Sequence, residues 1–138
     1  VLAEDAMKKI EEALGRKGAS WTGDARLPGG DFPVDGIAQL EGKLAAKAPD
    51  LAAPTIRRLV RAYGTDAAGF VAAAKLGEDF GHGLYAAEVD FLIAKEWARS
   101  AEDILWRRSK LGLRFSPAET ERLADYVDKA TARRQAAA

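Results

Sequence analysis

The sequence predicts an all-α fold: a compact bundle of about five to six helices, preceded by a separate N-terminal helix and an ordered linker. Three observations predict it. Apolar residues recur at helical spacing along most of the chain. The breaks between these stretches fall at glycine and proline. No stretch alternates polar and apolar residues long enough to compete as a half-buried strand.

The first stripe is Ala3, Met7, Ile10 and Leu14, stopped by Gly15 and Gly18. From Lys17 to Asp35 the chain carries Gly23, Pro28, Gly29, Gly30 and Pro33 with little periodicity, which reads as a linker that Trp21 and Phe32 could pin down. Ile37, Leu40 and Leu44 form the next stripe. Asp50 is expected to N-cap the following helix, where Pro54 is tolerable because first-turn N–H groups lack intrahelical acceptors. Its buried face is Ile56, Leu59, Val60 and Tyr63. Thr65 or Asp66 opens a short helix with Ala67, Phe70, Val71 and Ala74, closed by Gly77.

A glycine-rich turn follows. Beyond it Tyr85, Val89, Leu92, Ile93 and Trp97 share one helical face, and Ser100 with Asp103 supplies a capping box for the next helix. The last helix has the clearest start: Ser116 as N-cap, Pro117 at the first helical position and Glu119 three residues after the cap. Leu123, Tyr126, Val127 and Ala130 form its stripe, and the tail from Thr131 has no apolar anchor and is expected to fray.

Bulk properties narrow the function classes. A chain of 138 residues with 48% hydrophobic content can bury the core of one domain. Twenty-one Lys and Arg balance 21 Asp and Glu, so no net field draws nucleic acid or an anionic membrane. No apolar run approaches the roughly 18 residues a bilayer span needs, so direct membrane insertion is not expected. The absence of cysteine excludes disulfides and thiol chemistry and fits a reducing compartment, and one histidine makes a His-rich metal site implausible.

Four groups of residues invite a chemical reading. Gly81-His82-Gly83-Leu84-Tyr85-Ala86 has the spacing of a dinucleotide fingerprint before a helix, but no buried strand leads into it. His82 is the one side chain that titrates ordinarily near neutrality, and it is expected to be structural, beside Asp79 or Glu78. On the Asp103–Lys110 helix, Arg107 is an i, i+4 partner of Asp103, while Arg108 shares the face of Ala101, Ile104 and Leu105. Arg108 is therefore expected inside, paired with Glu96 or Glu88, and Trp106 on the opposite face, under another helix or at an interface. Arg57, Arg58 and Arg61 cluster beside an apolar stripe and read as a solvated face, with an interdomain or subunit contact as the alternative.

The wording of the chain resembles a known family. Leu27-Pro28-Gly29-Gly30-Asp31-Phe32, then Leu76-Gly77-Glu78-Asp79-Phe80-Gly81-His82, Glu96-Trp97-Ala98, and Glu102-Asp103-Ile104-Leu105-Trp106-Arg107-Arg108 are similar, in this order, to the C-terminal helical domain of FAD-dependent, quinone-linked glycerol-3-phosphate dehydrogenases. The resemblance covers nearly the whole chain. It implies that residues 1–30 are the end of a flavin domain, a remnant helix and a linker, and that 31–138 form the C-terminal helical domain. It also implies that FAD and the catalytic groups sit on a missing N-terminal flavin domain, so that this chain carries no catalytic, cofactor or metal residue of its own. The parent would oxidise sn-glycerol 3-phosphate to dihydroxyacetone phosphate at the inner face of the cell membrane, as a peripheral cytoplasmic enzyme, with a homo-oligomer as a possible assembly. The rival expectation is a free-standing helical module that docks a protein partner.

Overall fold

A computed structural model describes residues 2–15, 18–71 and 76–136. The architecture is all-α. Among the described residues six α-helices run in order: α1 (Leu2–Leu14), α2 (Ile37–Lys47), α3 (Ala53–Tyr63), α4 (Ala67–Val71), α5 (Ala86–Lys95) and α6 (Pro117–Ala136). A 3-10 turn at Gly64–Asp66 joins α3 to α4, and Ala74 of the expected α4 stripe lies outside the described residues.

One body of apolar side chains holds α2 to α6 together. Leu44 of α2, Ile56, Leu59 and Val60 of α3, Val89 and Leu92 of α5, and Leu123 and Val127 of α6 are all nearly excluded from solvent. Tyr63 extends this core through edge-on contacts with Phe70 and Phe91, ring centroids 5.3 and 5.4 Å away. Such T-shaped pairs let the positive rim of one ring meet the negative face of the next. By contrast α1 buries none of its residues.

Several local expectations are corrected. The glycine-rich turn contains a short antiparallel hairpin, β1 (Asp79–Gly81) with β2 (Leu84–Tyr85). It is too short to show as alternation, and its bend needs positive φ at Gly81, His82 and Gly83. Asp50 does not cap α3; the loop instead folds Leu51 into the core, and the helix starts after an extended Ala52 without a side-chain cap. The Asp103–Arg108 segment is π-helical, with the Ser109 N–H reaching back five residues to the Ile104 carbonyl at 3.0 Å. The tail from Thr131 stays in α6 through Ala136, and the Thr131 hydroxyl donates to the Val127 carbonyl.

Trp97 is the largest departure. It was expected on the buried face of α5, but the helix ends at Lys95 and Trp97 adopts a left-handed φ of 57° with 78% of its surface exposed. Ala98 takes the inward position instead and is fully buried. The left-handed residue after a helix reverses the chain, so the side-chain phase of α5 is lost before residue 97.

The linker is joined to the helical body at one tight crossing. The Thr65 N–H donates to the Gly29 carbonyl at 2.9 Å, and a Cβ on Gly64, at φ 55°, would overlap that same oxygen. Two glycines thus let the linker lie directly on the end of α3.

Candidate functional site

The buried polar centre of the molecule is Glu88, with 2% of its surface exposed. It follows Leu84 and precedes Leu92 by four residues each, which places it on the inward face of α5. Arg58 of α3 grips it bidentately, Nη1 and Nη2 each 2.7 Å from a carboxylate oxygen, and the Tyr63 hydroxyl donates to it at 2.6 Å. Arg58 Nη2 also donates to the Gly83 carbonyl at 2.8 Å, tying the hairpin bend to α3. Burial acts to lower the Arg58 pKa, but the hydrogen bonds and charge of Glu88 outweigh it and raise it. Burial, followed by the Glu88 charge, pushes the Tyr63 phenol up. The cluster is a cross-brace among α3, α5 and the hairpin.

Two sequence expectations are corrected here. Glu88 is not the partner of Arg108, and Arg58 does not belong to a solvated face, because its guanidinium is turned inward onto Glu88. The other two arginines of α3 do face outward: Arg57 lies 4.0 Å from Glu41, and Arg61 is exposed. Helical spacing marks Tyr63 only as a core aromatic. The signal for its second role was present in Leu84, Glu88 and Leu92, since a carboxylate on that stripe demands buried donors.

Arg108 meets backbone more than carboxylate. Its guanidinium donates to the Glu96 carbonyl and, at 3.4 Å, to the Asp103 carbonyl, while the Glu96 and Asp103 carboxylates stand 3.8 and 3.9 Å away. Asp103 itself caps the segment: its carboxylate accepts from the Arg99 N–H at 3.0 Å, and its own N–H donates to Ser100 Oγ at 3.2 Å. The Arg99 hydrogen bond, with Arg107 and Arg108 nearby, holds the Asp103 carboxyl below its ordinary range. Trp106 lies partly exposed against Gly112, where an added Cβ would come within 2.5 Å of the indole.

His82 is exposed at the hairpin tip. Its Nε2 lies 3.7 Å from the Glu119 carboxylate, and its ring is 5.4 Å from that of Phe115, so its acidic neighbour is Glu119 rather than Asp79 or Glu78. Asp79 is engaged by the Gly81 N–H at 2.8 Å, and Glu78 faces Arg122.

The Gly81–Ala86 turn does not fit a flavin's pyrophosphate. A dinucleotide turn needs free amides at the helix start. Here the Ala86 N–H donates to the Glu78 carbonyl at 2.9 Å and the Ala87 N–H to the Leu76 carbonyl at 3.0 Å, with the Glu88 carboxylate next in line. Among the described residues no group of three or more His, Asp or Glu could hold a metal ion.

Apolar surface is concentrated at the N-terminal end. Leu2, Met7, Ile10 and Leu14 of α1 are all exposed, as are Trp21, Leu27 and Val34 of the linker. Glu4 accepts from the Trp21 and Thr22 N–H groups, at 3.1 and 2.9 Å, and so ties the linker back onto α1. Hydrogen bonds from Ser20 first, and then from Thr22, hold its carboxyl down to about 2.

Residues 20–134 match the family described as the C-terminal domain of alpha-glycerophosphate oxidase. The chain belongs to this family. It is 43% identical over 130 residues to a glycerol-3-phosphate dehydrogenase of Pseudomonas aeruginosa, covering 91% of this chain and 25% of that protein. It is 34% identical to the aerobic glycerol-3-phosphate dehydrogenase of Escherichia coli, covering 96% of this chain and 27% of the relative. A D-erythritol 1-phosphate dehydrogenase of Brucella abortus is 35% identical over 94% of this chain and 26% of its own length. The chain therefore spans about a quarter of the length of these curated relatives, and it corresponds to their C-terminal part. Within this C-terminal domain no helix among the described residues is long and apolar enough to cross a membrane.

Proposed function

We propose that the chain is the non-catalytic helical domain of an FAD-dependent dehydrogenase that oxidises sn-glycerol 3-phosphate to dihydroxyacetone phosphate, with the flavin and the reacting groups on an N-terminal flavin domain. The observation that carries this reading is the match itself: over nine-tenths of this chain aligns with one quarter of a glycerol-3-phosphate dehydrogenase. The first amides of α5, taken by the Glu78 and Leu76 carbonyls, support placing the flavin elsewhere. The exposed stripe of α1 supports a division in which residues 1–30 pack against the flavin domain and 31–138 form the helical unit. Trp106, Arg57 and Arg61 are candidates for the same contact or for one between subunits. The parent is proposed to work in the cytoplasm, peripherally at the inner face of the cell membrane.

The domain's own contribution is rigidity. The Arg58–Glu88–Tyr63 brace fixes the hairpin to α3 and α5, which gives a neighbouring domain a preorganised surface. The test compares the 138-residue chain with the protein from the full reading frame. The short chain is expected to be colourless and inactive. The long protein is expected to carry flavin and to reduce a dye with glycerol 3-phosphate in preference to erythritol 1-phosphate. A flavin spectrum in the purified short chain, or preference of the long protein for the erythritol ester, overturns this reading.

A further inference from the structure

The first turn of α3, the hairpin tip and the loop after the π-helical segment enclose a cleft of about 430 Å³. Thr55, Arg58, His82, Lys110 and Arg114 line it, and no carboxylate does. Arg58 is neutralised by Glu88, and His82 faces Glu119, but Lys110 and Arg114 form no salt bridge with any described residue; the Lys110 ammonium donates to the Trp106 carbonyl, which leaves its charge uncompensated. Lys110 is set in place by its backbone, at a left-handed φ of 59°. The first turn of α3 carries no acidic residue, so the positive end of its dipole adds to the field of these two cations.

We propose that this cleft binds the phosphate group of a small phosphorylated molecule, with Arg114 and Lys110 as charge donors and the Thr55 hydroxyl as a third ligand. Thr55 comes from α3 and the two cations flank the 3-10 turn Leu111–Leu113, so donors from two segments line one cleft, an arrangement that suits a tetrahedral dianion better than a flat carboxylate. The cleft lies within the roughly 300–1,000 Å³ of small-ligand sites. No aromatic ring of Phe, Tyr or Trp lines it, so a nucleotide base would find nothing to stack on. The inference is independent of the enzymatic reading, because it concerns only side chains of this domain.

The test is a titration of the isotopically labelled 138-residue chain with inorganic phosphate, read by amide NMR at ionic strength held constant with chloride. Saturable shifts confined to Thr55, Gly83 and residues 110–114 are expected. Lys110→Ala and Arg114→Ala should each weaken binding about tenfold or more. Arg134→Ala removes the same charge from the last turns of α6 and should change binding by less than about twofold. A second arm uses phosphatidylcholine vesicles containing phosphatidic acid, with no engagement expected. Absence of shifts, equal weakening by all three variants, or engagement of vesicles without free phosphate would overturn the proposal.

Discussion

Arg58 and Glu88, 30 positions apart, form a bidentate ion pair with both N–O distances at 2.7 Å in the middle of the molecule. Removing the arginine strands a carboxylate that has 2% exposure, so Arg58→Ala should cost about 3–5 kcal/mol. The double variant Arg58→Met with Glu88→Leu should regain most of that loss, because two apolar groups need no partners. Arg108→Ala should cost less, about 1–2 kcal/mol, since it mainly gives up hydrogen bonds to backbone carbonyls. Urea midpoints of the four proteins check the order; equal losses for Arg58→Ala and Arg108→Ala would contradict the placement of Glu88.

Glycine positions offer a contrast of sign. Gly64→Ala forces a Cβ onto the Gly29 carbonyl at a positive φ and should cost more than about 3 kcal/mol. Gly42 sits inside α2 with nothing within 4 Å of an added Cβ, so Gly42→Ala should stabilise by about 0.5–1 kcal/mol. Thermal melting of both variants separates a tertiary constraint from a helix penalty.

Alkaline stability should report Tyr63. Its folded-state pKa is raised, by burial first and the Glu88 charge second, whereas an unfolded tyrosine releases its proton near about pH 10. Above that pH the unfolded chain holds fewer protons than the folded one, so stability is complete below about pH 10 and falls as pH rises toward the folded value. Tyr63→Phe should flatten this fall while leaving the smaller share from Tyr85 and Tyr126, which are also raised. Urea unfolding between about pH 9 and 11 measures the slope; an unchanged slope in Tyr63→Phe would remove Tyr63 from the account.

Exposed α1 should exchange its amides much faster than α5 and α6, because a helix of about 12–15 residues is marginal without tertiary support. Hydrogen exchange on the 138-residue chain checks this; slow exchange throughout Leu2–Leu14 in a monomer would make α1 part of the core.

Trp97→Gly should raise the stability of the isolated domain by about 1 kcal/mol by relieving a left-handed, exposed non-glycine residue. Loss of stability in the melting curve would show that the indole packs in solution.

What the sequence alone determined lies within a few residues along the chain. Ser116 and Glu119 cap α6 reciprocally, the Glu119 carboxylate taking the Ser116 N–H at 2.8 Å and Ser116 Oγ the Glu119 N–H at 3.3 Å. The stripes of α2 from Leu40 onward, of α3, of α5 as far as Lys95 and of α6 were legible for the same reason, since helical spacing of three and four residues is a local property. Tertiary structure decided which arginine takes Glu88, because three arginines on α3 and two after Asp103 compete for one carboxylate and only packing brings Arg58 across 30 positions. It also decided the fates of Trp97 and Arg108. A left-handed turn at residue 97 ends the side-chain phase of α5, so a face read with a constant α-helical period fails there, whereas Ala101, Ile104, Leu105 and Arg108 keep their shared inward face and the π-helical run changes only which groups Arg108 meets.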